Sequence, residues 1–168
     1  DIACSEYTIG FDTALNTAME AIDKLRDTCT SHQRCSVVEV MGRNAGYLAL
    51  HVAIASGAEN VLIPEREFDF EKDVVDVVKA GKEAGKKNHI IVVAEGVKGS
   101  VKMAKEIEEQ TGVSTRATIL GHIQRGGSPT VKDRVTASQM GEKAIELLKE
   151  GKSNRVVIVK DGKIDDVD

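Results

Sequence analysis

The sequence predicts an α/β fold, a three-layer sandwich built on a mostly parallel sheet. Two observations carry this. Short β-branched runs alternate with longer segments whose apolar residues recur at spacings of three and four, and glycine follows most of the helical segments. Alternating strands and helices pack most simply as a parallel sheet covered by helices on both faces.

Residues 11–28 read as a first helix, because Phe11, Leu15, Ala18, Ile22 and Leu25 form an apolar stripe that ends beside the charged Lys24, Arg26 and Asp27. A polar break over residues 30–34 leads to CSVVEV at 35–40, a β-branched run too short for a helix. Residues 44–56 form an Ala-rich helix closed by Gly57, and residues 60–63 a strand stopped by Pro64. A helix over 70–84 turns Val74, Val75, Val77 and Val78 toward the core, and a strand follows at 89–94. Then come a helix at 100–110 closed by Gly112, a strand at 117–120, and a long helix at 131–150 closed by Gly151. A strand at 155–159 and an Asp161-Gly162 turn finish the chain. No linker, low-complexity tract or internal repeat interrupts this order.

With 168 residues, 41% hydrophobic and 30% charged, the chain suits one soluble globular domain with its own core. A net charge of −4 argues against a general nucleic-acid or membrane surface, so an anion site has to be built from locally placed Arg and Lys. The aromatic content of 3%, with no Trp, disfavours base stacking. Cys4, Cys29 and Cys35 lack metal-ligand spacing and read as reduced thiols in a cytoplasmic setting, Cys35 serving core packing. No signal peptide or membrane-length apolar run is visible, and a start at Asp1 without Met is consistent with an excised segment. His32, His51 and His89 show no metal-ligand spacing and read as structural.

Open parallel sheets bind ligands outside the carboxyl ends of their strands. The strand at 35–40 runs into Met41, Gly42 and Arg43, the strand at 89–94 into Glu95, and the strand at 117–120 into His122 and Arg125 beside Gly126 and Gly127. A flexible turn of this kind lets backbone N–H groups approach an anion while Arg grips its oxygens. Two arginines, a histidine and a carboxylate therefore converge on one edge, able to hold a phosphate ester, a phosphoryl group in transfer and sugar hydroxyls.

The stretches GHIQRGGSPTVKDR, residues 121–134, and MGRNAG, residues 41–46, resemble two separate motifs of the 6-phosphofructokinases, and the likeness to the bacterial ATP-dependent members runs through essentially all 168 residues. The resemblance implies a phosphofructokinase-like α/β sandwich and phosphoryl transfer from MgATP to the 1-hydroxyl of fructose 6-phosphate, a glycolytic reaction giving fructose 1,6-bisphosphate. It further implies that residues 1–10 end the catalytic loop leading in from the ATP-binding domain, 11–122 form the fructose 6-phosphate and effector domain, and 123–168 return to the ATP-binding domain. His122 and Arg125 would bind the 6-phosphate, Glu95 with the Met41–Gly42 backbone would hold the sugar, and Arg43 would stabilise the transferring phosphoryl group. Arg34 in SHQR and Arg116 in TRAT match arginines that serve the neighbouring subunit's site, which implies a homo-oligomer, expected to be a tetramer.

Asp1 matches the second aspartate of the family's TIDND motif, an acidic residue near the metal and the reacting phosphate. The general base and the nucleotide domain fall outside the sequence, which holds no G-x-G-x-x-G or Walker-type loop, so the chain by itself is expected to be inactive. Arg26, Glu59 and Lys86 match an effector site for a nucleotide diphosphate with its Mg2+, carried by Glu59, or for phosphoenolpyruvate. Ala84 stands where that pattern has a basic residue, which leaves effector identity open. A pyrophosphate-dependent phosphofructokinase and a non-catalytic sugar-phosphate-binding module are the alternatives.

Overall fold

The computed structural model describes residues 3–168; Asp1 lies outside them. They divide into two compact units, one of Leu15–Gly126 and one of the residues up to Ala14 with Gly127–Asp168.

The larger unit contains a four-stranded, wholly parallel sheet formed by β1 (Cys35–Val40), β2 (Asn60–Leu62), β3 (His89–Ala94) and β4 (Thr115–Ile119), in the order β2-β3-β1-β4. β3 is buried along its whole length and β1 nearly so, as expected of strands covered on both faces. Their side chains alternate between two cores. Val38, Val40, Ile90, Val92 and Ala94 pack with Ala18 and Ile22 of α1 (Phe11–His32) and with Ala49, Val52 and Ala53 of α2 (Tyr47–Ser56). Cys35, Val37, Ile91 and Val93 pack on the other side with Val78 of α3 (Asp76–Glu83) and with Ala104 and Ile107 of α4 (Ser100–Thr111). Helix, sheet and helix thus form the three expected layers.

Several boundaries differ from the sequence reading. α1 continues through the expected polar break to His32, and within the helix the Thr28, Thr30 and Ser31 hydroxyls find acceptors in the carbonyls of Lys24, Arg26 and Asp27 one turn earlier. α2 starts only at Tyr47, because residues 42–46 are held in a turn in which Arg43 has φ 55°. The segment read as one helix over 70–84 opens with a wide π turn at Glu71–Val75, in which Asp76 N–H donates to the Glu71 carbonyl. The wide turn lets the adjacent Val74 and Val75 both reach the core, while Val77 is only half-buried. β4 begins two residues earlier than expected, at Thr115, in register with Cys35.

The strand expected at 155–159 does not join the parallel sheet. β5 (Val156–Lys160) pairs antiparallel with β6 (Lys163–Val167), a strand the sequence reading lacked. Asp161 and Gly162 have φ 50° and 70°, the mirror-image turn that matches strand twist in a tight hairpin. Only Ile158 of β5 is buried, so the hairpin lacks the two-sided apolar surface of β1 and β3. The smaller unit holds this hairpin and α5 (Val131–Lys149), whose N-cap Thr130 accepts from the Asp133 N–H.

Candidate functional site

Register places the candidate residues of the larger unit. Val40 of β1 lies opposite Ala94 of β3, and Glu39 lies opposite Ile119 of β4, so three neighbouring strands finish together. The residues that follow them, Met41–Arg43, Glu95, and His122 with Arg125, therefore emerge at the same end of the sheet.

The loop after β1 is held by side chains from the other two strand ends. The Glu95 carboxylate accepts from Gly42 N–H at 3.2 Å and also from Arg43 N–H, while Gln124 Oε1 accepts from Met41 N–H at 2.7 Å. Arg43 adopts a left-handed φ of 55°, a conformation costing an ordinary residue about 1–2 kcal/mol, which the bonds from its own N–H to Glu95 and from Ala45 N–H to the Gly42 carbonyl offset. Glycine is required beside it: a Cβ at Gly42 would collide with the Ala45 carbonyl oxygen. Gly46 N–H donates to Glu65 at 2.7 Å, closing the loop against the chain after β2.

His122 and Arg125 sit on the tight 3-10 turn Gly121–Arg125, and Thr17 Oγ1 donates to the Gly126 carbonyl at 3.1 Å just beyond it. His122, Arg125 and Arg43 are exposed, and among the described residues none of their side chains makes a hydrogen bond or ion pair. Three side chains that favour anions thus stand uncommitted at one sheet end, over a backbone fixed by Glu95 and Gln124. Gln124 was not singled out from sequence; its place inside GHIQRGG was the available signal.

Arg34 and Arg116 are not part of this cluster. Arg34 precedes β1, and Arg116 is the second residue of β4, paired in register with Ser36, so both lie toward the amino end of the sheet. Exposed Arg116 forms an ion pair with Glu108 at 3.3 Å.

Of Arg26, Glu59 and Lys86, the last two meet in an ion pair. Arg26 donates to the Ser56 carbonyl, and its Nε is buried without a partner among the described residues. The Glu59 side chain, 8% exposed, accepts from Lys86 Nζ and from Ile90 N–H, with buried His89 Nδ1 3.9 Å away. Burial keeps the His89 imidazole below its ordinary pKa against the opposing pull of Glu59. Both Glu59 oxygens are engaged, and no group of three or more His, Cys, Asp or Glu among the described residues is placed to hold a metal ion with protein ligands alone. The buried thiols are inert: burial pushes Cys35 up to about 12 and raises Cys29 as well. No helix of the described residues is long and apolar enough to cross a membrane.

A parallel α/β sheet with polar side chains gathered after three adjacent strands defines an open α/β protein of the kind that binds ligands at the carboxyl ends of its strands. The chain belongs to the phosphofructokinase family: the model of the family described as "Phosphofructokinase" matches residues 1–148. It is 58% identical over 168 residues to ATP-dependent 6-phosphofructokinase 1 of Clostridium perfringens and 57% identical to the ATP-dependent 6-phosphofructokinase of Clostridium botulinum, in both cases over 100% of this chain. It spans about half, 52%, of the length of either relative. The structure of phosphofructokinase from Saccharomyces cerevisiae superposes with a TM-score of 0.91 at 34% identity, covering 99% of this chain and 24% of that one.

Proposed function

We propose that this chain forms the fructose 6-phosphate side of an ATP-dependent 6-phosphofructokinase. The observation that carries the reading is the set of uncommitted Arg43, His122 and Arg125 side chains after three adjacent strands, beside a loop pinned by Glu95. His122 and Arg125 grip the 6-phosphate, the geometry for which a guanidinium fork is suited. Glu95 and the Met41–Gly42 backbone orient the sugar. Arg43, raised on its left-handed turn, meets the negative charge of the phosphoryl group as it passes between oxygens, and its preset position means little reorganisation at that moment. MgATP supplies the phosphoryl group, and Asp1 has its proposed role close to the metal. ATP is preferred to pyrophosphate because the clostridial relatives are named ATP-dependent.

Residues 11–122 serve as the sugar-phosphate and effector domain, with 1–10 and 123–168 leading to the nucleotide-binding part; the separation of Leu15–Gly126 as a compact unit supports this. Arg34 and Arg116 serve the site of a neighbouring subunit in a cytoplasmic homotetramer, a reading supported by their distance along the strands from His122. Arg26, Glu59 and Lys86 receive an anionic effector, a nucleotide diphosphate or phosphoenolpyruvate. In an intact enzyme carrying this chain, His122→Ala and Arg125→Ala each weaken fructose 6-phosphate binding about ten- to hundredfold, the loss expected for a charge-assisted hydrogen bond. Titration calorimetry with fructose 6-phosphate and separately with ATP checks this; unchanged sugar-phosphate affinity in both variants overturns the reading.

A further inference from the structure

We infer that Gln124 is a positioning residue that locks the phosphate-gripping turn to the loop carrying Arg43, an inference that rests on the function proposed above. Gln124 is 1% exposed, although His122, Ile123 and Arg125 on the same turn all face solvent. Its Oε1 accepts from Met41 N–H at 2.7 Å. A backbone N–H can only donate, so this bond fixes which way the side-chain amide is turned and leaves Nε2 buried without a partner among the described residues. A buried orphan donor is unfavourable, and an apolar side chain of similar shape would avoid it. What an apolar side chain cannot supply is the acceptor for Met41.

Three successive N–H groups of the loop after β1 are held in this way: Met41 by Gln124, and Gly42 and Arg43 by Glu95. Glu95 ties the loop to the end of β3. Gln124 ties it to the turn that bears His122 and Arg125, and so sets the offset between the 6-phosphate grip and the charge of Arg43. That offset must match the span of one substrate from its 6-phosphate to its reacting hydroxyl, and misplacement by about 1 Å can cost about a hundredfold in rate.

The test uses Gln124→Leu, which removes the acceptor, and Gln124→Glu, which keeps it. In the intact enzyme, Gln124→Leu lowers kcat at saturating fructose 6-phosphate by about ten- to a hundredfold with the KM for ATP unchanged, and Gln124→Glu recovers most of the loss. In this chain, amide hydrogen exchange by NMR shows Met41 exchanging about tenfold or more faster in the Leu variant, with β1 and β3 amides unaffected. A kcat within about twofold of wild type in Gln124→Leu, a Glu variant as slow as the Leu variant while folded, or unchanged Met41 exchange overturns the proposal. Should Gln124→Leu not fold, the unsubstituted chain decides: protection of Met41 matching that of its β1 neighbours supports the proposal, and exchange at the free-peptide rate overturns it. An unsubstituted enzyme with no turnover sinks the functional reading itself, an outcome separable from loss of Met41 protection.

Discussion

Asp133 shows at residue scale how a single carboxylate organises the smaller unit. It is 4% exposed, and its oxygens accept from Gly10 N–H and Thr13 N–H, each at 2.9 Å, and from the Tyr7 and Thr13 hydroxyls. Burial pushes its pKa upward, but the donated hydrogen bonds outweigh burial and hold the carboxyl below its ordinary value. The same contact works the other way on Tyr7, whose phenol is raised by burial and by the adjacent carboxylate and so remains a donor. A depressed carboxylate contributes stability above the unfolded value of about 3.9 and loses it as pH falls through the folded pKa. Asp133→Asn, which turns an amide donor toward the surrounding donors, should cost about 1–3 kcal/mol at pH 7 and flatten the loss of stability below about pH 4. Urea unfolding of this chain at several pH values checks both; an Asn variant as stable as wild type at pH 7 contradicts the account.

At the scale of elements, the candidate site depends on loops that glycine allows to approach one another. A Cβ at Gly96, on the turn after β3, would stand 2.5 Å from the Arg43 carbonyl oxygen. That atom is backbone, so relief has to come from moving the loop after β1. Gly96→Ala should therefore lower kcat in an intact enzyme by about tenfold or more through displacement of Arg43, with only a small change in melting temperature. Gly141 is the control. It lies exposed within α5 with open space around it, so Gly141→Ala should stabilise the helix by up to about 1 kcal/mol and leave kcat alone. Steady-state rates and thermal melts of the two variants separate loop displacement from a general glycine effect; equal rates in both would show that the Arg43 loop absorbs the added methyl.

At the scale of the whole molecule, the arginines divide between the two ends of one sheet. Arg43 and Arg125 follow strand ends, whereas Arg34 and Arg116 stand at strand beginnings. A β-strand rises about 3.3 Å per residue, so strands of this length keep the groups apart within one chain. If the second pair serves a neighbour, two defective chains can repair one another. An Arg116→Ala chain and an Arg125→Ala chain should each be impaired in fructose 6-phosphate use, and hybrids of the two should regain part of the activity. Such hybrids contain sites in which one subunit's Arg125 meets the other's Arg116. Mixed oligomers verified by mass spectrometry that remain as inactive as their parents would show that the arginines do not act from different chains.

Most of the larger unit was legible in the sequence because its signals are local. β1 and β3 stand out as short β-branched runs, and α4 ends where Gly112, at φ 63°, turns the chain out of the helix. The placement of Arg43, Glu95, His122 and Arg125 at one sheet end also followed, since parallel strands that each lead into a helical segment must finish on the same side. Four features needed the tertiary structure. α1 runs beyond its expected end, with its polar hydroxyls bonded to carbonyls one turn back, and a π turn brought Val74 and Val75 both inward. The strand at 155–159 found its partner in β6 rather than in the sheet, because pairing depends on which faces are buried and not on the strand's own composition. Gln124 carried no signal beyond its place inside GHIQRGG; what marks it is the Met41 N–H, 83 residues away in sequence, and only folding brings the two together.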